Sequence, residues 1–217
     1  MVAFTCKNAA QGERMDGEDF LKYEELEDGT RVRLRLMEAG DADRVQTFFA
    51  QLPPDDRLFL KYDLTRPEVM AVFEKGGYTV GYQRALMVLA EHEDRIAGIG
   101  SLRRHDPDWT DHVGEIWLVV APAYRRKGLG RVLTRSILDL AVAAGLEKIV
   151  AEMPADQLGA VEVFQRFGFV REGLLTNYVK TADGRKRDLL LMSHDLEHYQ
   201  GRAQYLGALE EYLAVTE

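Results

Sequence analysis

The chain has 217 residues, of which 46% are hydrophobic and 29% charged, and its formal net charge is −8. That length can bury a sizeable core, the acidic balance argues against nucleic-acid binding, and the single cysteine, Cys6, excludes an intrachain disulfide or a cysteine-based metal cluster. No apolar run reaches transmembrane length and the first twenty residues do not read as a signal peptide, so the expected setting is cytoplasmic, with no membrane partner.

In chain order, residues 1–24 are polar and weakly patterned and read as an N-terminal extension. TRVRLRLM (30–37) alternates and predicts a strand. EAGDADRVQTFFAQL predicts a helix with Asp41 as N-cap, and PPDDRLFL a short helix with proline at its start. A further helix and loop are expected over 66–79. Residues 84–105 read as strand, turn, strand, with the turn near Glu93–Asp94. VGEIWLVVA predicts a buried strand, and GLGRVLTRSILDLAVAAG an amphipathic helix ending at Gly145. LEKIVAEM is the next strand and QLGAVEVFQRF the next helix. GFVREGLLTNYVKT and KRDLLLMSHDL read as two strands joined at ADGR, and 198–217 as a C-terminal helical extension. Without repeats or an internal linker, the expectation is one α+β domain over 25–197.

The stretch YRRKGLG (124–130) carries the chemical signal. A helix start favours anions through its free N–H groups and dipole, so clustered cations there ask for an anion between them. Gly128 and Gly130 let backbone approach a phosphate, and Arg125, Arg126, Lys127 and Arg131 can neutralise it. A glycine pair before a helix is also often a plain tight turn. The dinucleotide fingerprint fails because Leu133 stands where its third glycine belongs, and no G-K-[ST] follows for a P-loop. The GIG at 98–100 lies inside a strand pattern with no helix after it.

Strand, turn, RRKGLG and helix together resemble the [Q/R]-x-x-G-x-[G/A] motif of the GNAT N-acetyltransferase superfamily, with Arg125, Gly128 and Gly130 at its defined positions. AVEVFQRFGFVREG (160–173) resembles the family's later signature, and DGTRVRLRLMEAGDADRVQTFFAQLPPDDRLFL the opening of bacterial protein-lysine acetyltransferase-type domains. The resemblance implies a mixed central sheet of about seven strands flanked by helices, with acetyl-CoA as co-substrate and no metal. It implies a cleft where strands 113–120 and 147–153 splay apart. The pantetheine arm would pair with backbone at Leu118, Val119 and Val120, with an N–H near Val119 polarising the thioester. The pyrophosphate would lie on the loop amides of Arg126, Lys127, Gly128, Leu129, Gly130 and Arg131.

An alkylamine with a pKa of about 10 is mostly ammonium at neutral pH and needs a base before it can attack. Glu115 is the candidate, as the resemblance implies for a glutamate on this strand, and desolvation among IWLVV would raise its pKa. An arginine partner or an exposed edge is the plainer alternative, and His112 is the second candidate. Phe164 takes the place of the family's usual tyrosine acid; a thiolate with a pKa near 8.5 leaves without much help. Tyr178 is a possible substitute. The expected activity is acetyl transfer to a primary amine, a protein lysine or a small amine. The alternative is a non-catalytic acyl-CoA-binding sensor, and a homodimer through the extensions is compatible with both.

Overall fold

The computed structural model of the protein describes residues 20–57, 60, 63–76, 85–105, 109–181, 183–197 and 199. The expected C-terminal helix (198–217), Tyr199 apart, and most of the N-terminal extension lie outside the described residues. Among the described residues eight strands form one sheet in the order β1-β2-β3-β4-β5-β6-β8-β7. They are β1 (Lys22–Glu25), β2 (Arg31–Leu36), β3 (Ala85–His92), β4 (Arg95–Arg104), β5 (Val113–Val120), β6 (Lys148–Pro154), β7 (Val170–Lys180) and β8 (Lys186–Asp195). Every neighbouring pair is antiparallel except β5 and β6. Parallel strands need a crossover, and α4 (Leu129–Ala143) supplies it.

The helices divide between two faces. α4 and α5 (Leu158–Arg166) cover one, where Leu133, Ile137, Val161 and Phe164 meet Ile116, Ile149, Ala151 and Met192. α1 (Ala42–Gln51) and α3 (Pro67–Gly76) cover β2 to β5 on the other, where Val45, Phe48, Phe49 and Met70 pack with Met87, Leu89 and Ile99. The short α2 (Pro54–Arg57) begins at the expected proline. β3 is buried along nearly its whole length, which explains its continuous apolar run. The GIG stretch proves to be a seat for α4: a Cβ on Gly100 would stand 2.4 Å from Ile137 Cδ1.

Two expectations change. The strand β1 was not read from the sequence, because KYEE carries no apolar alternation; its anchors, Phe20 and Leu26, lie just outside it and are buried. Asp41 stands at the N-cap of α1 but makes no side-chain cap bond to it. Its carboxylate instead accepts from the Glu38 N–H and pairs with Arg35.

That pair belongs to a buried network. Glu91, 1% exposed, receives Arg33, Arg35 and Arg44, and Asp41 receives Arg35 and Arg44. Burial alone would raise the Glu91 carboxyl, but hydrogen bonds from Arg35, Arg33 and Arg44 outweigh it and hold it low. Asp41 is likewise lowered, against its burial, by Arg35, the Glu38 amide and Arg44. Their stabilisation is therefore complete above the ordinary values of 4.5 and 3.8 and is lost as pH falls through the depressed native values. Glu91→Gln should cost about 1–3 kcal/mol at neutral pH, since three guanidinium groups lose their shared anion. Urea unfolding should also show the acid-induced loss of stability shrink in the variant.

Candidate active site

β5 and β6 pair only from Val113 with Lys148 to Ile116 with Ala151. β5 runs on to Val120 and β6 to Pro154, so the two strands part beyond Ile116. β5 stays bonded to β4 along its other edge. The Ala121 N–H donates to the Ala97 carbonyl and the His105 N–H to the Val113 carbonyl. The odd-numbered residues of β5 thus turn their backbone groups to β4, and Leu118 and Val120 turn theirs toward the opening. This corrects the expectation for Val119: its N–H belongs to the β4 ladder, and its side chain packs in the core beneath α1.

At the end of β5 a 3-10 turn (Pro122–Tyr124) leads into the cationic loop. Arg126 has φ 56 and Gly128 φ 87, so two left-handed residues turn the loop before α4 begins at Leu129. The first-turn amides of 129–131 have no intrahelical acceptor, as at any helix start. Leu129 is 1% exposed and contributes backbone only, while Arg126 and Arg131 are exposed. Gly130 has ordinary φ, and a Cβ there would meet nothing closer than Val163 Cγ2 at 3.8 Å.

Two cations expected to face a phosphate have partners within the protein. Arg125 donates from Nε to the Val120 carbonyl at 3.0 Å and from Nη2 to Asp56 Oδ2 at 2.6 Å. Lys127 Nζ lies 2.8 Å from Asp28 Oδ2, and this bond, with those from Thr30, holds the Asp28 carboxyl well below the usual carboxylate range. The Glu27 N–H donates to the Lys127 carbonyl at 3.0 Å. The turn between β1 and β2 therefore clasps the loop, a scaffold that no feature of residues 22–30 announced.

Glu115 sits beside the opening. It is 8% exposed, on the sheet face covered by α1 and α3, with Trp117 and Val119 next along that face. Arg103, its cross-strand neighbour, donates to Glu115 Oε2 at 2.6 Å. This is the arginine partner given above as the plainer alternative to a base, and it offsets the cost of keeping a carboxylate ionised among apolar groups. Sequence reasoning missed Glu152. Val150 is level with Glu115 in β6, so Glu152, two residues on, shares that face and lies past the last paired residue. Only the register brings the two carboxylates to one mouth. His112 is half-exposed, 3.8 Å from Asp111, at the far end of β5. Phe164 is buried with its ring centroid 4.9 Å from that of Phe169, and Tyr178 is 66% exposed on the edge strand β7.

The sequence over residues 43–169 matches the model of the family described as Acetyltransferase (GNAT) family, which is more than half of the chain. The chain belongs to the GNAT family. It is 28% identical over 154 residues to a mycothiol acetyltransferase of Amycolatopsis mediterranei, covering 67% of this chain and 48% of that protein. It is 32% identical over 76 residues to the [ribosomal protein bS18]-alanine N-acetyltransferase of Escherichia coli, covering 35% and 51%. This GNAT chain thus spans about half the length of these curated relatives. A GNAT-family acetyltransferase from Streptococcus pneumoniae shares the fold with TM-score 0.65 at 23% identity, over 76% of this chain and 99% of that one. So does yncA of Salmonella typhimurium, solved with its cofactor acetyl-CoA, at TM-score 0.59 and 20% identity over 76% and 94%. Among the described residues no helix is long and apolar enough to cross a membrane.

Proposed function

We propose that the protein transfers an acetyl group from acetyl-CoA to a primary amine by direct attack. The observation that carries the reading is the opening between β5 and β6: a strand edge with outward backbone groups at Leu118 and an outward N–H at Val120, whose carbonyl is capped by Arg125, leads straight to a glycine-opened helix start. An amide-bearing arm can add to that edge as a strand would, and phosphates suit the amides of 126–131. Acetyl-CoA supplies the activated acyl group. The outward N–H groups of Leu118 and Val120 are the donors available to a thioester carbonyl. Glu115, steadied by Arg103, takes the proton from the incoming ammonium, directly or through water. Glu152 shares the same mouth and supplies a second negative charge facing a cationic acceptor.

The names of the relatives point to two kinds of acetyl transfer, one named for mycothiol and one for an alanine of a ribosomal protein. Thiol release from acetyl-CoA should therefore be measured with small amines, polyamines, lysine peptides and peptides beginning with alanine. Turnover with one class and not the others is the expected result. The buried Phe164, which has no proton to donate, favours a second reading, a non-catalytic acyl-CoA sensor. It predicts CoA binding without thiol release for every amine.

A further inference from the structure

The Arg125 guanidinium joins the two sides of the site. Its Nε closes the Val120 carbonyl, one of the backbone groups of β5 turned into the opening. Its Nη2 reaches Asp56 on α2. α2 follows Leu52 and precedes Leu60, and both pack in the core that also holds Trp117, Val119 and Ala121. The Arg125–Asp56 pair thus ties the end of the cofactor strand to the segment covering the opposite sheet face. Both side chains are partly exposed, at 41% and 27%.

From this geometry we infer that Asp56 is a positioning residue for the cofactor: it holds Arg125 against the Val120 carbonyl and so fixes where an extended cofactor arm must leave β5 and turn into the glycine loop. With Val120 C=O capped, the arm can pair with Leu118 and with the Val120 N–H, but cannot continue along the strand. Arg125 then acts as an end stop, and its charge stays beside the loop without being spent on a fixed phosphate contact. The inference rests on the proposed binding of CoA along β5 and the 126–131 loop.

The test is calorimetry of CoA with the full chain. Asp56→Asn keeps size and polarity and should weaken CoA about threefold to fivefold, the scale of a partly exposed ion pair. The deficit should shrink at high salt, and Asp56→Glu should restore part of it. In an Arg125→Gln background, Asp56→Asn should have no further effect, because Asp56 acts only through the guanidinium. The thermal midpoint of Asp56→Asn should stay close to that of the parent. Unchanged affinity, or the same loss with and without Arg125, would overturn the inference. Tighter binding would overturn it too, since Asp56 would then be withholding Arg125 from the phosphates. A parent chain that binds no CoA would instead remove the functional reading beneath it.

Discussion

Gly130→Val should abolish most CoA binding while leaving the fold intact. The residue lies in the first turn of α4 with ordinary φ, and the nearest atom to a Cβ there is 3.8 Å away, so the protein itself does not require glycine. Valine is also the better helix former of the two. What valine would obstruct is the approach of a phosphate to the amides of the first turn. Losing one or two charge-assisted hydrogen bonds, each about 1.5–3 kcal/mol, corresponds to about a hundredfold weaker binding. Gly128→Ala is the contrasting variant. Gly128 has φ +87, and an added Cβ would stand 3.1 Å from Glu27 Oε1. It should lose stability as well as binding, by about 1–2 kcal/mol for the backbone alone. Calorimetry on both variants, with thermal melts alongside, separates ligand approach from backbone strain. Undiminished CoA affinity in Gly130→Val would place the phosphates elsewhere.

The second large effect is expected at Glu115. Glu115→Gln keeps an acceptor for Arg103 and removes the base, so the strand pairing and CoA affinity should hold. The turnover number should fall about a hundredfold or more with an acceptor amine. The deficit should narrow as pH rises toward the amine pKa of about 10, where free amine no longer needs a base. Glu152→Gln, measured beside it, locates the proton transfer. If Glu115 carries it, Glu152→Gln should act mainly on acceptor KM. A wild-type pH–rate profile in Glu115→Gln would shift the role to Glu152, His112 or water.

The run from β3 to α5 was legible because each element carries its own pattern: buried apolar strands, a turn at Glu93–Asp94, and an amphipathic helix opened by Gly128. The parting of β5 and β6 was reached through resemblance to a family, since no local pattern marks where two parallel strands stop pairing. Facing was illegible. The sequence shows three cations in a row, but not that Arg125 and Lys127 turn to Asp56 and Asp28. It shows Glu152 in a strand, but not that this strand stands level with Glu115. It shows Asp41 before a helix, but not that Arg35 and the Glu38 amide claim its carboxylate. The first two depend on how distant segments are placed against one another, and the third on which way a local turn faces; periodicity encodes neither.

The bond from the Glu27 amide to the Lys127 carbonyl has a kinetic consequence. It joins a turn near the start of the described chain to a loop in its second half, and such a non-local contact pays its loop-closure entropy before it gains anything. The helix α4 can nucleate from local bonds, but the bend that precedes it is finished only when the β1–β2 hairpin has docked. During refolding, helical signal should therefore return before the capacity to hold CoA. On the ribosome the hairpin emerges before the strands and helix that will bury Phe20 and Leu26, and must wait for them with both uncovered.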